Sequence, residues 1–174
     1  MHSDMLSEVT YHLEPGYIYM SSKGDVIRTV VGSCVAVCMW DKRRKFGGMS
    51  HFLYPEIKEK SKATACYGNV AVPMLLKLMK DTGSRKKDIV AQIFGGGKLH
   101  DATKSNVGDE NIAIARRMLE PKGIPIISED VGGSMGRKIL FDTASGQVAI
   151  LKVHRIRQSD WHDADLSKNA GRAG

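Results

Sequence analysis

The sequence predicts a mixed α/β (α+β) fold in a single domain, and three observations predict it. Many short runs rich in β-branched and aromatic residues are separated by glycine- and proline-containing turns, and two longer stretches repeat apolar residues at helical spacing. No run reaches the roughly 18 consecutive apolar residues that a membrane-spanning helix needs. At 174 residues, 42% hydrophobic and 26% charged, the chain is long enough to bury one core of its own.

The elements follow in order. Residues 17–20 and 26–31 read as the first strands, split by the turn Ser21-Ser22-Lys23-Gly24-Asp25. Gly32-Ser33 interrupts the run and residues 35–40 resume it. The basic turn from Asp41 to Lys45 leads into residues 46–53, so these two runs read as a hairpin that ends at Pro55. A polar loop, residues 56–64, precedes a helix in which Val70, Met74, Leu75, Leu78 and Met79 recur up to Gly83. If that helix begins near Asn69, Pro73 lies near the first turn, where its missing N–H matters little. Residues 89–94 form a strand that runs into Gly95-Gly96-Gly97. Residues 111–119 form a second helix, with Ile112, Ala115, Arg116 and Leu119 on successive turns and Pro121 and Gly123 beyond its end. Strands at 124–127, 138–141 and 147–153 complete the core, the last two joined by Thr143-Ala144-Ser145-Gly146. The folded domain is placed at 1–158, and residues 159–174, polar and aperiodic, are expected to be a mobile tail.

Composition narrows the function classes. The N-terminus lacks a basic start followed by an apolar run, so a soluble, cytoplasmic protein is expected. Cys34, Cys38 and Cys66 are an odd count without a secretory signal, which points to free thiols in a reducing compartment. The formal net charge of +7 favours acidic partners. The basic patches, such as Lys42-Arg43-Arg44-Lys45 and Arg85-Lys86-Lys87, fall at turns and helix ends, where solvated loops are the plainer account. Nucleic-acid binding has only that charge in its favour, since aromatics are 6% of residues and no recognised motif accompanies them.

Chemistry concentrates in Gly32-Ser33-Cys34-Val35-Ala36-Val37 and Gly47-Gly48-Met49-Ser50-His51-Phe52. A cysteine directly after a Gly-Ser break, at the start of a strand, can present its sulfur and neighbouring backbone N–H groups to a cleft. In the expected hairpin, Cys34 near the start of one strand and His51 near the end of the other come side by side. The imidazole could then take the thiol proton and draw the thiol pKa from about 8.5 toward neutrality. A buried cysteine and a satisfied strand histidine are the plainer account of an arbitrary pair, but packing gives no reason for glycines before each. Zinc could use Cys34, Cys38, Cys66 and His51, yet on a strand Cys34 and Cys38 lie roughly 13 Å apart, too far for two ligands of one ion. Gly95-Gly96-Gly97-Lys98 lacks the earlier glycine and the hydroxyl residue of a phosphate loop, Leu99 standing after the lysine. Close backbone approach, to another strand or to a substrate, accounts for these glycines equally well.

Together with Phe94-Gly95-Gly96-Gly97, Asn106-Val107-Gly108-Asp109-Glu110-Asn111 and Asp130-Val131-Gly132-Gly133, the two motifs resemble the CheD family of chemoreceptor glutamine deamidases, in the family's order and from about Tyr17 to Val153. The resemblance implies a protein-glutamine glutaminase that needs no cofactor or metal, acts on methyl-accepting chemoreceptors and can bind a CheC-type phosphatase. It also implies a layered α/β/β/α domain similar to the catalytic domain of cytotoxic necrotizing factor toxins. By the same resemblance Cys34 is the nucleophile and His51 the base, while the residues themselves suggest Gly32 and Ser33 as oxyanion support and Gly95, Gly96 and Gly97 as candidates for substrate contact. The family's third residue is a threonine before the Gly-Ser-Cys turn. Thr29 is the candidate, although some members carry theirs one position earlier, where this chain has Arg28. A non-catalytic module that regulates the phosphatase is the alternative reading.

Overall fold

The β-branched runs assemble into two sheets stacked face to face. The computed structural model describes residues 9–99 and 105–161. One sheet has four strands in the spatial order β1 (Thr10–His12), β3 (Val26–Val31), β8 (Gly136–Asp142) and β9 (Val148–Val153). The other has five, in the order β2 (Ile18–Ser21), β5 (Phe46–Phe52), β4 (Val35–Asp41), β6 (Ile89–Gly95) and β7 (Ile126–Val131). The helices α1 (Gly68–Asp81) and α2 (Val107–Leu119) lie together on the five-stranded sheet.

Strand alternation sorts the residues of β4 between two cores. Val35, Val37 and Met39 face the helices, in a cluster with Phe52, Leu75, Met79, Ile93 and Leu119. Ala36 and Cys38 face the four-stranded sheet, in a second cluster with Leu13, Ile27, Val31, Met49, Phe94, Ile139 and Phe141. The central hairpin forms as expected, with Ala36 opposite His51 and Asp41 opposite Phe46. Burial of both faces makes β4 and β5 apolar or small at nearly every position.

Several expectations are corrected. A fourth, helical layer is not seen among the described residues, where the order is α/β/β. Both helices match their apolar stripes to the same face of the five-stranded sheet, and Leu140 and Leu151 on the far side of the four-stranded sheet are 43% and 60% exposed. In α1 the buried stripe is Gly68, Ala71, Val72, Leu75, Leu76 and Met79, so Met74 and Leu78 point outward, and Pro73 sits in the second turn. Helix α2 begins four residues earlier than its apolar period, because Asp109 and Glu110 in its first turn suit the positive end of the helix dipole. Strand β7 starts and ends later than 124–127. Its Glu129 and Asp130 pair with Arg116 and Arg137, the charged dress of an edge strand rather than a turn. The short β1, exposed throughout, carries no pattern to read. Past residue 158 the fold continues into a 3-10 turn, Gln158–Trp161, whose buried Asp160 accepts from Lys138 Nζ at 2.7 Å and from the Arg157 backbone N–H at 2.7 Å. Residues 162–174 of the expected tail lie outside the described residues.

Glycine makes one crossing of layers possible. At Gly48 on β5 a Cβ would stand 2.7 Å from the Tyr19 carbonyl oxygen and 2.8 Å from Leu75 Cδ1, so the strand is gripped between β2 and α1. Gly48→Ala is expected to cost about 1–3 kcal/mol, read as a lower urea midpoint at unchanged slope.

Candidate active site

His51 is positioned by backbone on both sides. It sits at the penultimate position of β5, its N–H donating to the Tyr17 carbonyl at 3.2 Å and its carbonyl accepting from Gly16 at 2.8 Å. Being opposite Ala36, it shares Ala36's face and looks toward the four-stranded sheet. Cys34 lies two positions before Ala36, packs against the same inter-sheet cluster and is half-buried. Cys34, in the bend just before β4, and His51, opposite Ala36, thus both lie toward the space between the sheets. Cys38 lies deeper on that face, fully buried, and Cys66 is half-buried.

The candidate third residue comes from the opposite sheet. Ile27, Thr29 and Val31 of β3 turn inward, and Thr29 Oγ1 lies 2.7 Å from His51 Nδ1. Arg28 faces the other way, across the outer surface with Lys138 and Leu140. Strand parity therefore puts Thr29, and not Arg28, at the imidazole.

The hydroxyl also fixes the tautomer. Thr29 Oγ1 is 2.8 Å from the Leu13 carbonyl oxygen, which can only accept, so its single proton goes there. Both contacts are satisfied only if Nδ1–H donates to Oγ1. Nε2 then carries the lone pair, as a proton acceptor for a thiol must.

Burial acts on both members of the pair. It pushes the Cys34 thiol up from 9.0 to about 11, eased by the hydrogen bond from its own backbone N–H, and it pushes the fully buried His51 down from 6.5 to about 3. Burial thus favours the uncharged thiol and the uncharged imidazole, the direction opposite to the acidified thiol expected from the sequence. Ionic charge is unfavourable there until something arrives to share it.

Around Cys34 the backbone is strapped from below. Gly96 N–H donates to the Cys34 carbonyl and Gly97 N–H to the Gly32 carbonyl, each at 2.9 Å. Gly95 has φ of 112° and its Cβ would fall 2.3 Å from the Cys34 carbonyl oxygen, so only glycine permits the approach. Gly95, Gly96 and Gly97 are buried, and the backbone they approach and bond is that of the Gly32-Ser33-Cys34 turn. Sequence reasoning missed one residue here. Asn111 of α2 is fully buried, and its Nδ2 donates to the carbonyls of Ser33 at 3.0 Å and Leu53 at 2.9 Å. Its signal was a polar residue within the buried stripe of α2, beside Ile112 and Ala115. Among the described residues no three His, Cys, Asp or Glu side chains are gathered as a metal site would require.

The family model described as CheD chemotactic sensory transduction matches residues 53–152. Three relatives carry the name Probable chemoreceptor glutamine deamidase CheD, one of them numbered CheD 1. That of Trichlorobacter lovleyi is 39% identical over 80% of this chain and 88% of its own. That of Sulfurimonas denitrificans is 35% identical over 83% and 94%, and CheD 1 of Anaeromyxobacter dehalogenans 41% over 78% and 80%. Among solved structures, Bacillus licheniformis hypothetical protein YfiH aligns over 67% of this chain and 49% of its own, with 16% identity and a TM-score of 0.43.

The depressed pKa of His51 sets a pH dependence. The unfolded chain takes up a proton near pH 6.5 that the folded site refuses until about 3, so stability is full above 6.5 and falls as pH drops through that window. The slope is about 1.4 kcal/mol per pH unit. Urea titrations at pH 7 and pH 4.5 are expected to show this loss, and His51→Gln to reduce it.

Proposed function

From the premise that this chain belongs to the CheD family of chemotactic sensory transduction proteins, we propose that it is a cytoplasmic protein-glutamine glutaminase. It converts selected glutamines of methyl-accepting chemoreceptors to glutamate. What supports this reading is the Thr29 hydroxyl 2.7 Å from His51 Nδ1, which leaves Nε2 as the base on the face it shares with Cys34.

The steps follow from that arrangement. His51 Nε2 takes the Cys34 proton as sulfur attacks the side-chain carboxamide carbon, so the thiolate need not exist beforehand. Negative charge moves to the amide oxygen, where the backbone N–H groups of Ser33 and Cys34 receive it. The C–N bond breaks as His51 returns its proton to nitrogen, releasing ammonia and leaving a thioester. His51 then deprotonates water, whose attack yields glutamate and restores the thiol.

The net charge of +7 suits receptor helices rich in acidic side chains. A CheC-type phosphatase is a further partner under this reading. The likeness to cytotoxic necrotizing factor toxins is proposed at the level of two stacked sheets with a cysteine centre at one end.

Incubation with a chemoreceptor cytoplasmic domain, followed by peptide mass spectrometry, is expected to show amide-to-acid conversion that Cys34→Ala abolishes. Full activity in Cys34→Ala would overturn the reading in favour of a binding module. Thr29→Val, which keeps shape but removes the acceptor, is expected to lower kcat by about 10²-fold. Arg28→Ala, on the outer face, leaves kcat unchanged.

A further inference from the structure

One fully buried polar side chain beside the centre is not used by the steps above. Asn111 spends both Nδ2 hydrogens on backbone carbonyls, those of Ser33 and Leu53. The first belongs to the residue immediately before the nucleophile, and the second lies two residues beyond the base. The side chain therefore ties the two halves of the centre together from α2. It does so at a cost, because its Oδ1 is buried with no hydrogen-bond partner among the described residues. Packing alone would favour leucine or methionine in this stripe, and a capping role belongs at the helix start rather than in its second turn.

The peptide planes show what the two bonds accomplish. A trans peptide directs its C=O and N–H oppositely, and no cis bond occurs among the described residues. Gly97 holds the Gly32 carbonyl and Asn111 holds the Ser33 carbonyl, both from elements that meet where Gly108 of α2 packs on Gly96 and Gly97. The N–H groups of Ser33 and Cys34 are consequently turned the other way. That of Cys34 lies against its own sulfur, beside the atom that attacks.

We propose that Asn111 is a positioning residue for the deamidation: it orients the Ser33–Cys34 peptide as the oxyanion donor and holds the nucleophile turn in step with the strand that carries His51. This rests on the cysteine-hydrolase reading, and the test separates the two. Alkylation by iodoacetamide displaces iodide from carbon and forms no oxyanion, so it reports on access to the Cys34 sulfur without needing the donor peptide. Asn111→Asp, nearly isosteric and without the two amide donors, and Asn111→Ala are compared with the parent well below their melting temperatures.

In folded variants, kcat for receptor-fragment deamidation is expected to fall about 10²-fold, with KM and the rate of Cys34 alkylation little changed. A kcat near that of the parent in either folded variant overturns the inference while leaving the deamidase reading intact. Equal losses of alkylation and of kcat, or failure of both variants to fold, assign Asn111 a purely structural role and also overturn it. An inactive parent overturns the reading beneath it instead.

Discussion

The contact between Thr29 and His51 is the constraint on which the rest depends, because it joins one sheet to the other through a buried imidazole. An imidazole with no solvent access must find its hydrogen bonds within the protein, and here one comes from the strand that faces it. The threonine can accept from Nδ1 only because the Leu13 carbonyl takes its own proton, so the segment that leads from β1 is part of the same chain of bonds. Stacking of the sheets is thereby coupled to the protonation state of the base. Any shift of β3 by one residue would put Arg28 or Val30 where Thr29 stands and remove that coupling.

Around this contact the nucleophile turn is shaped by backbone more than by side chains. Gly95, Gly96 and Gly97 approach it closely enough to donate two backbone hydrogen bonds, and Asn111 adds a third from the helix layer. Three successive carbonyls, those of Gly32, Ser33 and Cys34, are held in this way. A turn so constrained keeps its N–H groups in a fixed direction without reorganising during reaction, the requirement for electrostatic stabilisation of a developing oxyanion. The glycines that resemble a phosphate loop in sequence thus serve geometry instead.

Burial gives the centre its chemical character. With the thiol pushed up to about 11 and the imidazole down to about 3, the resting pair is neutral and poorly nucleophilic. In the proposed reaction, attack becomes favourable only when a carboxamide stands in place to carry the displaced charge to its oxygen. Such a site discriminates by position, since a free thiolate would react with any electrophile whereas this pair needs one aligned with the donor peptide. Cys38 is held on the same face but deeper in the core, where burial raises its thiol further.

The sequence by itself determined the two helices, the central hairpin and the two residues proposed for the chemistry, because strand alternation, helical period and the glycine-flanked Cys34 and His51 are local patterns. Short-range rules also placed Thr29 next to the turn, but not on a face. Parity along β3 has meaning only once Ile27 and Val31 are seen to pack on the opposite sheet, so the tertiary structure chose between Thr29 and Arg28. It likewise decided that α1 and α2 share one side, that the charged residues of β7 form an edge strand, and that Asn111 reaches two carbonyls distant in sequence. Burial, too, was decided there: the low-dielectric space between the sheets pushes the Cys34 thiol up and the His51 imidazole down from their ordinary values, which no local pattern encodes.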